Sequence, residues 1–135
     1  MRLFQIEIEI GASPDLVWAT MRDVERWPEW TPTVTSVRLR TPGPLTVGSR
    51  ASIRQPKLPP ALWCVTEVDD ANRTFTWVNA APGVRVTAKH SVEPRGDGSR
   101  ATLSVSFDGL LGGVVAAATR KLNDRYLALE AAGLK

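Results

Sequence analysis

The chain has 135 residues, 43% of them apolar and 23% charged, with a net charge of +3 at neutral pH. That size and balance predict one soluble domain, residues 1–135, large enough to bury about 68–70% of its unfolded surface. Basic and acidic residues are interleaved, which excludes a nucleic-acid patch; no apolar run approaches the ~18 residues of a membrane span, and the N-terminus carries no apolar block of a secretory signal. Cys64 is the only cysteine, so no internal disulfide forms and a cytoplasmic setting is expected.

The first element is a strand over 2–10, where Phe4, Ile6, Ile8 and Ile10 alternate with Gln5, Glu7 and Glu9. Ser13-Pro14-Asp15 opens a helix: Ser13 suits the cap, Pro14 the first helical position and Asp15 the positive end. Asp23 caps a second short helix running to Trp30, and Pro32 stops it. Six more strands are predicted near 33–40, 48–55, 61–69, 73–79, 84–93 and 99–107, separated by segments rich in Pro, Gly, Asp and Asn. Short connections make successive strands antiparallel neighbours. A long helix over about 110–132 closes the chain, with Leu111, Val115, Ala118, Leu122, Tyr126 and Leu129 on one face. The order predicts an α+β fold: a seven-stranded curved antiparallel sheet wrapped around a C-terminal helix, with two short helices after the first strand.

In such a sheet alternate connections share an end. Trp30, Trp63 and Trp77 flank three connections at one end and should converge there. Alternation predicts an inner wall of Trp63, Val65, Phe75, Trp77, Val86, Ala88, Leu103 and Val105, with Arg85, Thr87, Lys89, Ser91, Thr102, Ser104 and Ser106 facing water. These residues serve either as plain core or as the wall of a cavity. Small residues at Ala51, Ala88 and Ala116–Ala118 favour a cavity, because one helix cannot fill the concavity of seven strands.

Ala12-Ser13-Pro14-Asp15-Leu16-Val17-Trp18 followed by Asp23-Val24-Glu25-Arg26-Trp27-Pro28-Glu29-Trp30 resembles the opening of the polyketide cyclase/dehydrase-like branch of the START superfamily (SRPBCC). Val47-Gly48-Ser49, Phe75-Thr76-Trp77 and Glu93-Pro94 resemble it too, so the likeness covers essentially the whole chain. Trp27-Pro28-Glu29-Trp30 is its most specific part. The resemblance implies the helix-grip fold and an internal apolar cavity for lipids, polyketides or similar molecules. It fixes no activity, since the superfamily spans aromatase/cyclases, lipid carriers, hormone receptors and chaperone regulators. It implies no catalytic motif that transfers residue by residue.

His90 is the only histidine, and its strand phase points it inward, roughly 20 Å from the mouth at ~3.3 Å per residue. It is read either as a general acid/base or as a hydrogen-bonded structural residue. Glu67 is read either as facing inward two strands away, about 10 Å from His90 at the backbone and within reach of a long side chain, or as reaching solvent at the sheet end. Arg54, Gln55 and Asn79 lie near the mouth, as exposed rim residues or as partners of a polar ligand head. Tyr126 either packs or donates into the cavity. One histidine and one cysteine make no metal set, Gly96-Asp97-Gly98 reads as a hairpin turn, and no serine sits in a nucleophile elbow. The expected partner is a small hydrophobic ligand, with no cofactor, no nucleic acid and no stable membrane insertion, in a monomer or weak homodimer. Two further readings stand beside it, a cofactor-free cyclase/dehydrase and a regulatory interaction module. Access is expected between the loops 55–60 and 80–83 and the glycine-bearing start of the last helix, 109–114.

Overall fold

The computed structural model describes residues 2–31, 34–40, 45–55, 61–81 and 84–108. The expected C-terminal helix, Tyr126 on it, the access segment 109–114, and the tips of the loops at 56–60 and 82–83 lie outside the described residues.

Strand β1 (Arg2–Ile10) leads into helix α1 (Pro14–Arg22). The Ser13 hydroxyl accepts a hydrogen bond from the Leu16 amide at 3.2 Å, and Pro14 stands in the first turn, as its fixed φ allows. Val17, Trp18 and Met21 form the buried face. The second helix, Val24–Glu29, is a 3-10 helix, and Asp23 makes no side-chain cap there. Instead the Trp27 indole donates to the Met21 carbonyl at 2.8 Å, which folds this helix back onto α1.

Strands β2 (Ser36–Leu39), β3 (Arg50–Arg54), β4 (Ala61–Asp69), β5 (Thr74–Ala81), β6 (Val84–Arg95) and β7 (Gly98–Asp108) complete one seven-stranded sheet. Its order is β1-β7-β6-β5-β4-β3-β2, and every neighbouring pair is antiparallel. The N-terminal strand thus closes one edge beside the last strand, as hairpin connections and one returning segment dictate. Two glycines hold special positions. Gly48 has φ +91, and its amide donates to the Val65 carbonyl at 2.8 Å in the turn before β3. At Gly98, any side chain would run into the carbonyl oxygen of Ile10.

Register assigns the faces. One row across the sheet is Val68, Phe75, His90, Leu103 and Ile6; the next is Val65, Trp77, Ala88, Val105 and Phe4. Phe75, Trp77, Val65, Ala88 and Leu103 are buried, and Trp63, Val86 and Val105 are half-buried. Both short helices pack on this side through Val17, Met21, Val24 and Trp27. On the other face Arg100 lies among Glu7, Glu9 and Glu93, a solvated charge cluster.

Of the two readings of Glu67, the inward one is corrected. Glu67 is exposed and lies opposite Thr76, not in the row of His90. The register shifts between Val65 and Glu67, so one residue of β4 is a bulge. A bulge adds a residue and reverses the alternation beyond it. Val68 therefore takes the inward place, opposite Phe75, and a Glu67–His90 pair does not form.

Candidate functional site

The concave face carries a cluster of stacked and edge-packed rings. Trp77 lies 5.9 Å from Trp63, 5.3 Å from Phe75 and 5.3 Å from Trp27, centroid to centroid. Trp27 lies 5.4 Å from Trp30. Trp30, Trp63 and Trp77 are thus joined, with Trp27 as the link between Trp30 and the sheet. These separations fall in the favourable range for aromatic pairs. Sequence reasoning does not single out Trp27 as a site residue. The four-residue run Trp27-Pro28-Glu29-Trp30 holds the signal, because its two indoles are three apart on a tight helix and pack on one another.

His90 sits inside this cluster. Its ring stacks on Phe75 at 4.2 Å and 9°, and meets Trp27 and Trp77 edge-on at 5.4 and 5.7 Å. It is 5% exposed. Burial pushes its pKa down to about 3, against a smaller opposing effect from the backbone of Phe75. The imidazole is therefore neutral at physiological pH, and its Nδ1 has no hydrogen-bond partner. Burial weakens the ring as a general base near neutrality, and the backbone of Phe75 lies within hydrogen-bond reach of it.

The four indole N–H groups of the helical segment and β4 divide sharply. Trp18 donates to Asp70 at 3.0 Å, and Trp27 to the Met21 carbonyl. The indole nitrogens of Trp30 and Trp63 are sealed from solvent and bonded to nothing. An unpaired buried donor costs about 1–3 kcal/mol. Among the described residues the buried side-chain atoms without a partner are these two, His90 Nδ1 and Arg22 Nε. Arg22 Nε is a different case: it lies 3.1 Å from Asp70 as an ion pair, with its N–H not aimed at the carboxylate, while its Nη2 donates to the Leu45 carbonyl at 2.7 Å.

The rim residues are placed as follows. Arg54 is exposed, and its carbonyl accepts from the Thr35 amide at 2.7 Å. Gln55 is half-buried. Asn79 donates to the Leu62 carbonyl at 3.0 Å and stands opposite Val86. An open groove of about 420 Å³ runs between the two helices, lined by Ala19, Thr20, Asp23, Arg26, Glu29 and Trp30. Trp30 belongs to both the groove and the ring cluster. Arg26 bridges the groove to Glu29 at 2.8 Å, an exposed pair that holds the guanidinium more basic and the carboxyl more acidic than usual. No group of three His, Cys, Asp or Glu side chains among the described residues is arranged to hold a metal ion, and no described helix is long and apolar enough to cross a membrane.

A single open sheet with two short helices on its aromatic face is an α+β architecture. The family model for polyketide cyclase / dehydrase and lipid transport proteins matches residues 1–135, and the chain belongs to that family. Among solved structures, a Thermobifida fusca protein superposes with a TM-score of 0.82 at 20% identity, covering 99% of this chain and 91% of that one. A Thermus thermophilus protein gives 0.78 at 19%, covering 98% and 94%. The di-domain ARO/CYC BexL from the BE-7585A biosynthetic pathway gives 0.75 at 20%, covering 99% of this chain and 46% of that one. These likenesses show the helix-grip fold. No curated protein is similar enough to match.

Proposed function

We propose that the domain binds a small, largely apolar, ring-bearing molecule over the concave face of the sheet. The observation that carries this reading is the ring cluster itself: the uncharged side chains of Trp27, Trp30, Trp63, Phe75, Trp77 and His90 gather at one place. Pockets for such ligands are mostly apolar and aromatic with a few fixed polar atoms. Val65, Ala88, Leu103 and Val105 supply the aliphatic floor, and the family's lipid-transport members are compatible with carriage. A monomer or weak homodimer working in the cytoplasm, without cofactor or nucleic acid, completes the proposal. Intrinsic tryptophan fluorescence measures it: a panel of fatty acids, flavonoids and polyketide mimics should give saturable quenching or a spectral shift with at least one class. A flat response across the panel refutes the reading.

A second reading, cofactor-free cyclisation or dehydration of a poly-β-keto chain, is favoured by the family's cyclase/dehydrase members. Here the ring cluster would act by positioning a flexible substrate. Glu67 has no part in it, being on the solvent face. Turnover of a poly-β-keto mimic that His90→Ala abolishes would move the balance to this reading.

A further inference from the structure

We propose that the outer face of the sheet across β2–β6, at the end that carries Trp63 and Trp77, docks on an anionic lipid bilayer. The feature that carries this is a strip of apolar side chains framed on both sides by cations. The proposal stands apart from the binding reading above, since the ring cluster lies on the opposite face.

Acids and bases are interleaved along the chain, but the fold sorts them. On β2 and β3 the buried positions are Val37, Ala51 and Ile53, so Arg38, Arg50 and Arg54 stand on the outer face, and all three are exposed. Arg40 continues the row: its amide donates to the Arg50 carbonyl at 2.7 Å and its Nε to the Ser52 hydroxyl at 2.8 Å. These arginines lie within roughly 15 Å of one another, on paired strands ~4.8 Å apart. That is under two Debye lengths at physiological salt, so their fields add. Among the described residues no carboxylate forms an ion pair with Arg38, Arg40 or Arg54. The apolar strip comes next. Leu62 stands opposite Ser52, Cys64 opposite Arg50 and Val78 opposite Cys64, all on this outer face, and Leu62 is 47% exposed. On β6, exposed Arg85 and Lys89 form the second border. Asp108 opposite Arg85, and Glu67 opposite Thr76, temper that border without reaching the first. The acidic cluster of Glu7, Glu9 and Glu93 belongs to the other end of the strands: Thr87 to Glu93 along β6 is roughly 20 Å at ~3.3 Å per residue, too far to cancel the arginines.

The two kinds of side chain answer to two layers of a bilayer. Guanidinium forks bind phosphate oxygens, while Leu62 meets the acyl boundary beneath them. An acidic protein would satisfy the arginines and leave Leu62 without a partner. Each arginine near an anionic surface raises affinity roughly fivefold, so the contact is weak, reversible and sensitive to salt. Docked this way, the chain presents the Trp63 and Trp77 end of the sheet to the lipid and keeps Glu7, Glu9 and Glu93 farthest from it.

The test is co-sedimentation of the full chain with vesicles of phosphatidylcholine alone or of phosphatidylcholine mixed with phosphatidylglycerol, at low and at physiological salt. The chain should pellet with the anionic vesicles only, and less so as salt rises. Arg38→Gln combined with Arg54→Gln, both at exposed positions, should lower the partition coefficient by roughly 25-fold. Leu62→Ser should lower it several-fold, with circular dichroism showing each variant folded. Arg26→Gln combined with Arg95→Gln removes equal charge from other surfaces and should leave binding nearly unchanged. Pelleting that is equal with neutral vesicles, no pelleting at all, an Arg38/Arg54 variant or a Leu62→Ser variant that binds like the parent, or a control pair that loses as much overturns the proposal. Capture by polyglutamate with vesicles ignored overturns it too, and gives the face to an acidic protein. Each of these outcomes leaves the ring-cluster reading standing, since its fluorescence titration contains no vesicles.

Discussion

Two ends of the same helical segment handle the same residue type in opposite ways. At its start, Trp18 is anchored: its indole bonds Asp70 in the β4–β5 turn, where Arg22 also pairs, and Arg73 from that turn binds Asp15 at 2.9 Å. At its finish, Trp30 is packed on Trp27 with its N–H bonded to nothing. The first end satisfies its polar groups inside the chain and fixes the helix to the sheet. The second leaves them unsatisfied beside an open groove. Trp18 is thus held by both packing and a hydrogen bond, whereas Trp30 is held by packing alone.

The comparison can be broken at its hinge, Trp27, which touches Trp30, Phe75, Trp77 and His90. Trp27→Ala should cost about 3–5 kcal/mol by denaturant unfolding, through lost burial and the unpaired Met21 carbonyl. The next effect is on pH. His90 has a folded pKa near 3 and an ordinary unfolded value of 6.5, so between these the unfolded chain binds the extra proton. Stability is full above pH 6.5 and falls as pH drops toward 3, by about 1.4 kcal/mol per unit at most, or about 2–3 kcal/mol by pH 4.5. His90→Phe keeps a flat ring on Phe75 and should remove that share of the slope in acid titrations followed by circular dichroism. At the anchored end, Asp70→Ala strands the Trp18 indole and should cost about 1–2 kcal/mol in thermal unfolding. The smallest effect belongs to the other end. Trp30→Phe removes no hydrogen bond made within the chain and should change stability by about 1 kcal/mol or less. A Trp30→Phe loss as large as that of Asp70→Ala would erase the contrast.

Much of the sheet is legible in the sequence because its signals are local. Strict alternation in β1, β6 and β7, and turn residues between strands, give the element order, and hairpin logic gives the neighbours. The inner wall follows from the same alternation and holds for Val65, Phe75, Trp77, Ala88 and Leu103. Glu67 escapes that logic because a bulge leaves no mark in a run such as Trp63-Cys64-Val65-Thr66-Glu67-Val68, where either phase looks acceptable. The Trp18–Asp70 bond spans 52 positions and no local pattern announces it. Trp27 stands out as a family mark but not as a site residue, since its place depends on how a six-residue 3-10 helix folds back on α1. The state of His90 depends on three aromatic neighbours from two separate segments, a property of assembly that strand phase alone does not contain.

The bulge in β4 also bears on how this chain tolerates changes of length. Thr66 and Glu67 together face the stretch of β5 that one residue would normally face, and the pairs on either side, Val65 with Trp77 and Val68 with Phe75, are already in step. Removing Thr66 would leave an unbroken ladder with the same residues inward and Glu67 still outward. The strand can therefore lose one residue without a frameshift of its faces, whereas a deletion anywhere in β5 or β6 would turn the aromatic wall inside out. Single-residue deletions among descendants of this sequence should collect at Thr66 and be purged from β5 and β6.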